Sequence, residues 1–215
     1  MSLTLGLDTS TVVCVGVAGG GRPPGSASVP QARAHAEQLV PATVKLMADA
    51  GVRLSDVARI AVGVGPGPFT GLRVGVVTAL TLGEVLGVPV RGVCSLDIVA
   101  AQWALAGAPE EFVIVSDARR REVYWARYLA GARVGGPEVT APDAVPELPL
   151  AGPGATLVGE ACGPGDLDAG VLASVGFDLP DVGTEPLYLR RPDAEVPATP
   201  KSTLPQPRLA FGRHR

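Results

Sequence analysis

The segment 64–75, reading Val-Gly-Pro-Gly-Pro-Phe-Thr-Gly-Leu-Arg-Val-Gly, constrains this chain more than any other stretch. It follows a short apolar run (Ile60, Ala61, Val62) that reads as a strand, and it opens a helix with almost no charge until Glu84. Gly65, Gly67 and Gly71 alternate here with Pro66 and Pro68. Glycine accepts positive φ and proline fixes φ near about −65°, so the sequence itself dictates an unusual backbone. Two jobs suit such a turn. It can offer N–H groups and the positive end of a helix to an anion, or it can seat a helix tightly against a sheet or a partner.

The known phosphate-binding patterns fit poorly. A P-loop needs Lys followed by Ser or Thr at the helix start, whereas this helix opens on Thr70, Gly71, Leu72 and Arg73. The dinucleotide fingerprint needs Gly-x-Gly-x-x-Gly, and Gly65, Gly67 and Gly71 are spaced with one residue too many. Pro66 and Pro68 also delete two N–H donors from the loop. Packing or an interface is the favoured role, and a phosphate cradle the weaker one.

The chain has 215 residues, enough for one domain or two small lobes. It is 47% hydrophobic and 18% charged with net charge −3, so it lacks the overall basic field of an autonomous nucleic-acid binder. No charge-free run exceeds 13 residues, against roughly 20 for a membrane-spanning helix. The N-terminus has no basic leader region and carries Asp8 in its first apolar run, which argues against a signal peptide. Cys14, Cys94 and Cys162 are scattered, without a Cys-x-x-Cys pair, and read as reduced, mostly buried thiols of a cytoplasmic protein.

Strands are expected at 3–8 and 12–18, forming a hairpin, then a loose glycine-proline connection over 19–25 and a short strand at 26–29. A helix over 34–50 ends at Gly51, and Ser55 with Asp56 suits a turn or cap before a strand at 59–64. The helix over 70–86 ends at Gly87, a strand follows at 90–94, and Ser95 caps a helix to about 105. A second hairpin is expected from strands at 112–117 and 122–128. Residues 130–183 are dense in Gly and Pro, with elements expected only at 156–158 and 167–175, and a last strand at 187–189. Pro192, Pro197, Pro200, Pro205 and Pro207 mark 191–215 as a disordered tail. The expected organisation is a first lobe over 1–106, a shorter second lobe over 107–190 and the tail.

A helix that covers one sheet should carry one apolar stripe and a polar back. The helix over 70–86 has charge only at Arg73 and Glu84, and Leu72, Val74, Val76, Val77, Ala79, Leu80, Leu82, Val85 and Leu86 surround its axis. The preceding helix shows the same excess more mildly. Its Leu39, Val40, Val44 and Met47 make one face, with Ala42 and Leu46 continuing onto another. A second lobe could cover these faces, but association with a partner is the favoured reading.

The only histidines are His35 and His214, so neither a His-x-x-x-His metal pair nor a Cys-pair site can be assembled. No Gly-x-Ser-x-Gly elbow exists for a serine nucleophile. Asp8, Thr9 and Ser10 form an acid-hydroxyl turn after the first strand, which reads equally as an Asx-bonded turn or as a phosphate-facing acid. Arg119, Arg120 and Arg121 lie at a hairpin tip, where they read as a solvated turn or as contacts for RNA phosphates.

Together, Leu7-Asp8-Thr9-Ser10-Thr11, the run from His35 to Pro41 (His-Ala-Glu-Gln-Leu-Val-Pro), the segment 62–75, Ser95-Leu96, and Asp117-Ala118-Arg119 with Glu122-Val123-Tyr124 resemble the TsaB (YeaZ) family. The resemblance covers about residues 3–128 well and 186–191 faintly. It implies an α/β, two-lobe actin-like ATPase (ribonuclease H-like) fold with a truncated second lobe. It also implies a non-catalytic, cytoplasmic role in placing threonylcarbamoyl on the tRNA adenosine beside the anticodon. The implied partners are a TsaD-like catalytic subunit and a TsaE-like ATPase, with tRNA reached through that complex, no membrane, and a homodimer through the same helices as a further option. Catalytic residues are then expected to be absent, and ATP and metal are expected on the partner subunits. The first two helices form the partner surface in this family. The residues expected there are His35, Glu37, Gln38, Leu39, Ala42, Leu46, Phe69, Thr70, Leu72, Arg73, Val76 and Leu80. In the wider actin-like superfamily the position of Asp8, Thr9 and Ser10 faces nucleotide phosphates, so a phosphotransferase or ATPase using these residues is the alternative. Pro68 stands where this family usually has Ser, so a hydroxyl role there is lost.

Overall fold

A computed structural model of the chain describes residues 2–29 and 35–190, the side chains of His35 and Ala36 excepted. The expectations for Ala34, for the His35 side chain and for the tail 191–215 lie outside the described residues.

Strand β1 (Leu3–Asp8) pairs antiparallel with β2 (Val13–Gly19), which pairs antiparallel with β3 (Arg22–Val29). On its other side β1 runs parallel to β4 (Val57–Gly63), and β4 parallel to β5 (Val90–Val93), giving the order β3-β2-β1-β4-β5. Helices α1 (His35–Asp49) and α2 (Phe69–Leu86) make the crossovers that parallel neighbours require. Gly51 and Gly87 end them with φ of 63° each, the left-handed backbone at which glycine has no side chain to clash.

Leu5, Leu7, Val13, Val15, Ile60 and Val62 turn one face of this sheet towards Leu39, Leu46 and Met47 of α1 and Val76 and Ala79 of α2. The opposite face is covered by α4 (Ala169–Val175) at backbone range: a Cβ at Gly16 would lie 2.0 Å from the Ala169 carbonyl oxygen, and one at Gly6 2.6 Å from it. Coverage on both faces explains why the first strands read as continuous apolar runs.

Helix α3 (Ser95–Leu105) leads to a second sheet built from β6 (Glu111–Asp117), β7 (Val123–Leu129), β8 (Ala132–Thr140) and the short β9 (Leu150–Ala151), in the order β8-β7-β6-β9. Its first three strands are antiparallel and β6 runs parallel to β9, so it repeats the first sheet without a fifth strand. Two such sheets make this an actin-like ATPase fold. Cys14, Ala61 and Val93 of the first sheet share one core with Trp103 of α3, Phe112, Ile114 and Tyr128 of the second sheet, and Leu172 of α4.

Three local readings are corrected. Strand β3 spans Arg22–Val29, so most of the expected glycine-proline loop is strand, and β8 runs through a Gly-Gly-Pro sequence where no element was expected. Both lie at sheet edges, where a proline's missing N–H leaves no ladder bond broken. No strand forms at 187–189; instead the Val182 N–H donates to the Gly92 carbonyl (3.0 Å) and the Leu187 N–H to that of Val64 (2.8 Å), strapping the chain back onto the first sheet. Cys14 and Cys94 are buried as expected, whereas Cys162 is exposed.

Candidate functional site

The acid-hydroxyl turn ends β1 inside the molecule, with Asp8, Thr9 and Ser10 only 0–4% exposed. Asp8 Oδ1 accepts the Ser10 N–H (2.8 Å) and the Ser10 hydroxyl (2.7 Å), an Asx turn reinforced by a side chain. Its Oδ2 accepts the Ser95 hydroxyl at 2.6 Å. That hydroxyl oxygen in turn accepts the Gly65 N–H at 3.0 Å, while the Ser95 N–H donates to the Gly65 carbonyl at 2.8 Å. Thr9 Oγ1 donates to the Gly71 carbonyl at 2.8 Å. Ser95 is thus not the expected cap: Cys94 occupies that position, and the Ser95 hydroxyl reaches across to Asp8 instead.

The glycines of the 64–75 segment follow from this knot. A Cβ at Gly63 would lie 1.7 Å from Asp8 Oδ2, one at Gly67 2.6 Å from the Ser10 carbonyl oxygen, and one at Gly75 2.3 Å from Thr9 Oγ1. The loop therefore packs closely against the acid turn. Its Gly65 N–H, which a cradle would offer to an anion, is already given to Ser95. Among the described residues, no group of three or more His, Cys, Asp or Glu could hold a metal ion.

Leu39, Leu46 and Val76, expected on a partner face, turn inward and are buried in the core against the sheet, and Leu72, expected there too, is fully buried. Ala42 and Gln38 are half-buried, while Glu37, Thr70, Arg73 and Leu80 are exposed. Phe69 is half-buried between Tyr188, 4.7 Å away centroid to centroid, and the Arg73 guanidinium, 4.0 Å above its ring. The outward apolar surface is made by Leu80 together with residues that were not expected there. Val40 and Val44 of α1 and Val77, Leu80 and Val85 of α2 are 43–74% exposed. Beside them Val40, Thr43, Val44, Met47 and Leu82 line a shallow cavity of about 250 Å³. Helix α2 is long and apolar enough by composition to cross a membrane, yet 33% of it is buried within the molecule, at Gly71, Leu72, Gly75, Val76, Ala79 and Gly83.

A second buried cluster carried no signal in the sequence. Asp97, 3% exposed, accepts the Tyr128 hydroxyl at 2.7 Å and pairs with Arg133 Nε at 3.2 Å, both through Oδ1, while its Oδ2 has no hydrogen-bond partner among the described residues. Burial pushes the Asp97 carboxyl above the usual carboxylate range, against the pull of Tyr128 and Arg133. Burial, helped by the charge of Asp97, also pushes the Cys94 thiol up to about 12, which leaves it unreactive near neutral pH.

Residues 20–158, more than half of the chain, match the family model described as TsaD, tRNA N6-adenosine threonylcarbamoyltransferase. An uncharacterised protein of Mycobacterium tuberculosis is 45% identical over 171 residues, which cover 76% of this chain and 79% of that protein. The tRNA threonylcarbamoyladenosine biosynthesis protein TsaB of Escherichia coli is 36% identical over 97 residues, 45% of this chain and 42% of that protein. The crystal structure of YeaZ from Pseudomonas aeruginosa superimposes with a TM-score of 0.71 at 30% identity, covering 88% of this chain and all of that one. On these matches the chain belongs to the TsaB (YeaZ) family, whose members take part in the biosynthesis of tRNA threonylcarbamoyladenosine.

Proposed function

We propose that this chain is a non-catalytic subunit that binds and activates a TsaD-like catalytic partner, working in the cytoplasm with a TsaE-like ATPase to threonylcarbamoylate tRNA. The observation that carries this reading is the aliphatic outer face of the α1–α2 pair, where Val40, Val44, Val77, Leu80 and Val85 stand exposed. Large apolar side chains left exposed on two neighbouring helices suit an association site. The sealed Asp8 turn supports the same reading, because a phosphotransferase would need that carboxylate open to a nucleotide and its metal ion. Under this proposal ATP and metal sit on the partners, and tRNA is reached through the assembled complex.

Co-expression with the same organism's TsaD-like protein tests it. The expected result is a stable complex, retained on affinity capture through either subunit, and loss of threonylcarbamoyladenosine from bulk tRNA when this chain is depleted. A TsaD-like protein that neither binds this chain nor needs it for modification would end the proposal. The same preparation decides whether the isolated chain pairs with a second copy: light scattering would then give twice the chain mass.

A further inference from the structure

The tip of the β6–β7 hairpin holds an exposed run of three arginines in a backbone that arginine disfavours. Arg119, Arg120 and Arg121 have φ of 64°, 53° and 62°. Side chains with a Cβ rarely occupy this left-handed region, and glycine or asparagine normally replaces them there. The root of the hairpin holds the run in place. Asp117 accepts the Arg119 backbone N–H at 2.7 Å and pairs with its guanidinium at 3.1 Å. Glu122 pairs with Arg190, whose other amino group donates to the Ala118 carbonyl at 3.0 Å. Residues 117–122 therefore carry three guanidiniums and two carboxylates, with the Arg190 guanidinium beside them. A strained backbone kept at an exposed basic tip points to work done by the side chains.

We propose that this hairpin tip contacts the sugar-phosphate backbone of tRNA, with Arg120 and Arg121 supplying guanidiniums to phosphate oxygens. This proposal rests on the tRNA-modification reading above. The planar guanidinium fork matches two phosphate oxygens, and such contacts position a nucleic acid without reading its bases. The hairpin belongs to the second sheet, whereas the apolar face assigned to a protein partner lies on the helices of the first.

The experiment measures binding of a tRNA transcript by the full chain, alone and with its TsaD-like partner, across a salt series from about 50 to 200 mM. Two double variants are compared with the native protein: Arg120→Glu with Arg121→Glu, and Arg120→Gly with Arg121→Gly. Charge reversal is expected to weaken binding at least about tenfold and to lower the slope of log affinity against log salt by about 1–2. The glycine pair is expected to weaken binding as well while melting no lower than the native protein, because glycine accepts the left-handed backbone. Unchanged affinity and slope in the charge-reversed protein would overturn the proposal, as would a loss of tRNA binding by the glycine pair that tracks a lowered melting temperature. Loss of the protein partner with tRNA binding intact would also overturn it, by assigning the tip to an acidic protein surface. If the native chain fails to capture a TsaD-like protein, the subunit reading falls, while the titration of the chain alone still decides the hairpin.

Discussion

At the scale of single residues, the glycines in and beside the 64–75 segment are explained by the Asp8-Thr9-Ser10 turn they pack against. Gly63 and Ser95 serve Asp8 from opposite sides, one by having no side chain and the other by donating a hydroxyl. Ser95→Ala takes a donor from Asp8 Oδ2 and the acceptor from the Gly65 N–H, both in the interior, so a loss of about 2–4 kcal/mol is expected in urea unfolding. Gly63→Ala places a methyl group 1.7 Å from the same oxygen and should lower the midpoint further, because the buried Asp8 carboxylate and the Ser95 hydroxyl must leave their hydrogen-bonded positions to admit it. A Gly63→Ala protein as stable as the native one would show that the knot is loose. Asp97 gives a prediction of the opposite kind. Its folded-state pKa lies above the unfolded value, so the native state holds the proton more tightly than the unfolded chain. The stability linked to this group is thus present at low pH and is lost as pH rises from the ordinary carboxylate range through the raised value. Asp97→Asn removes that slope. Urea midpoints measured from about pH 4 to 7 should fall less steeply with pH in the variant, and parallel curves would refute the assignment.

At the scale of elements, the two first helices divide their apolar residues between a core stripe and a free stripe. The exposed stripe should be separable from stability. Val44→Asp and Leu80→Asp are expected to shift unfolding by no more than about 0.5 kcal/mol, yet to weaken capture of the TsaD-like partner at least about tenfold. Leu39→Ala and Leu72→Ala, fully buried, are expected to lose about 2–5 kcal/mol of stability instead. If the exposed variants capture the partner as the native chain does, the α1–α2 face is not the interface. The excess of apolar residues on these helices was legible in the sequence, but the phase was not. Which side of a uniformly apolar helix meets the sheet is set by Gly75 fitting against Thr9, a contact between distant residues that no periodicity records. The helices and central strands were likewise legible, through Gly51, Gly87 and unbroken Val, Ile and Leu runs. The first half of β3 and all of β8 were not, because an edge tolerates the prolines that would rule out a central strand. The Asp8 turn was found, but its sealing was hidden, since Ser95 comes from a separate helix 87 residues away in sequence.

At the scale of the whole molecule, the two sheets share a core. Helix α4 follows the second sheet in sequence yet lies against the backbone of β1 and β2, where Gly6 and Gly16 supply no side chains of their own. Phe112, Ile114 and Tyr128 of the second sheet meet Trp103 of α3, with ring centroids 4.8 Å apart for Trp103 and Phe112. After α4, the bonds from Val182 to Gly92 and from Leu187 to Val64 tie residues 182–187 to the end of β5 and to the loop over Asp8. A boundary near residue 106 therefore separates the sheets in sequence but not in packing. A fragment of residues 1–106 would retain all five strands of the first sheet and lose α4, which covers one of its faces. The backbone of β1 and β2 would stand open on that side, and the surviving burial would not offset the entropy of ordering the chain. This fragment is expected to show no cooperative unfolding transition and to bind a hydrophobic dye, whereas residues 1–190, which contain every core cluster described here, should unfold in one transition with a midpoint close to that of the full chain. Dispersed amide resonances and a sharp transition from residues 1–106 alone would show instead that the first sheet folds independently and that α4 only docks on it.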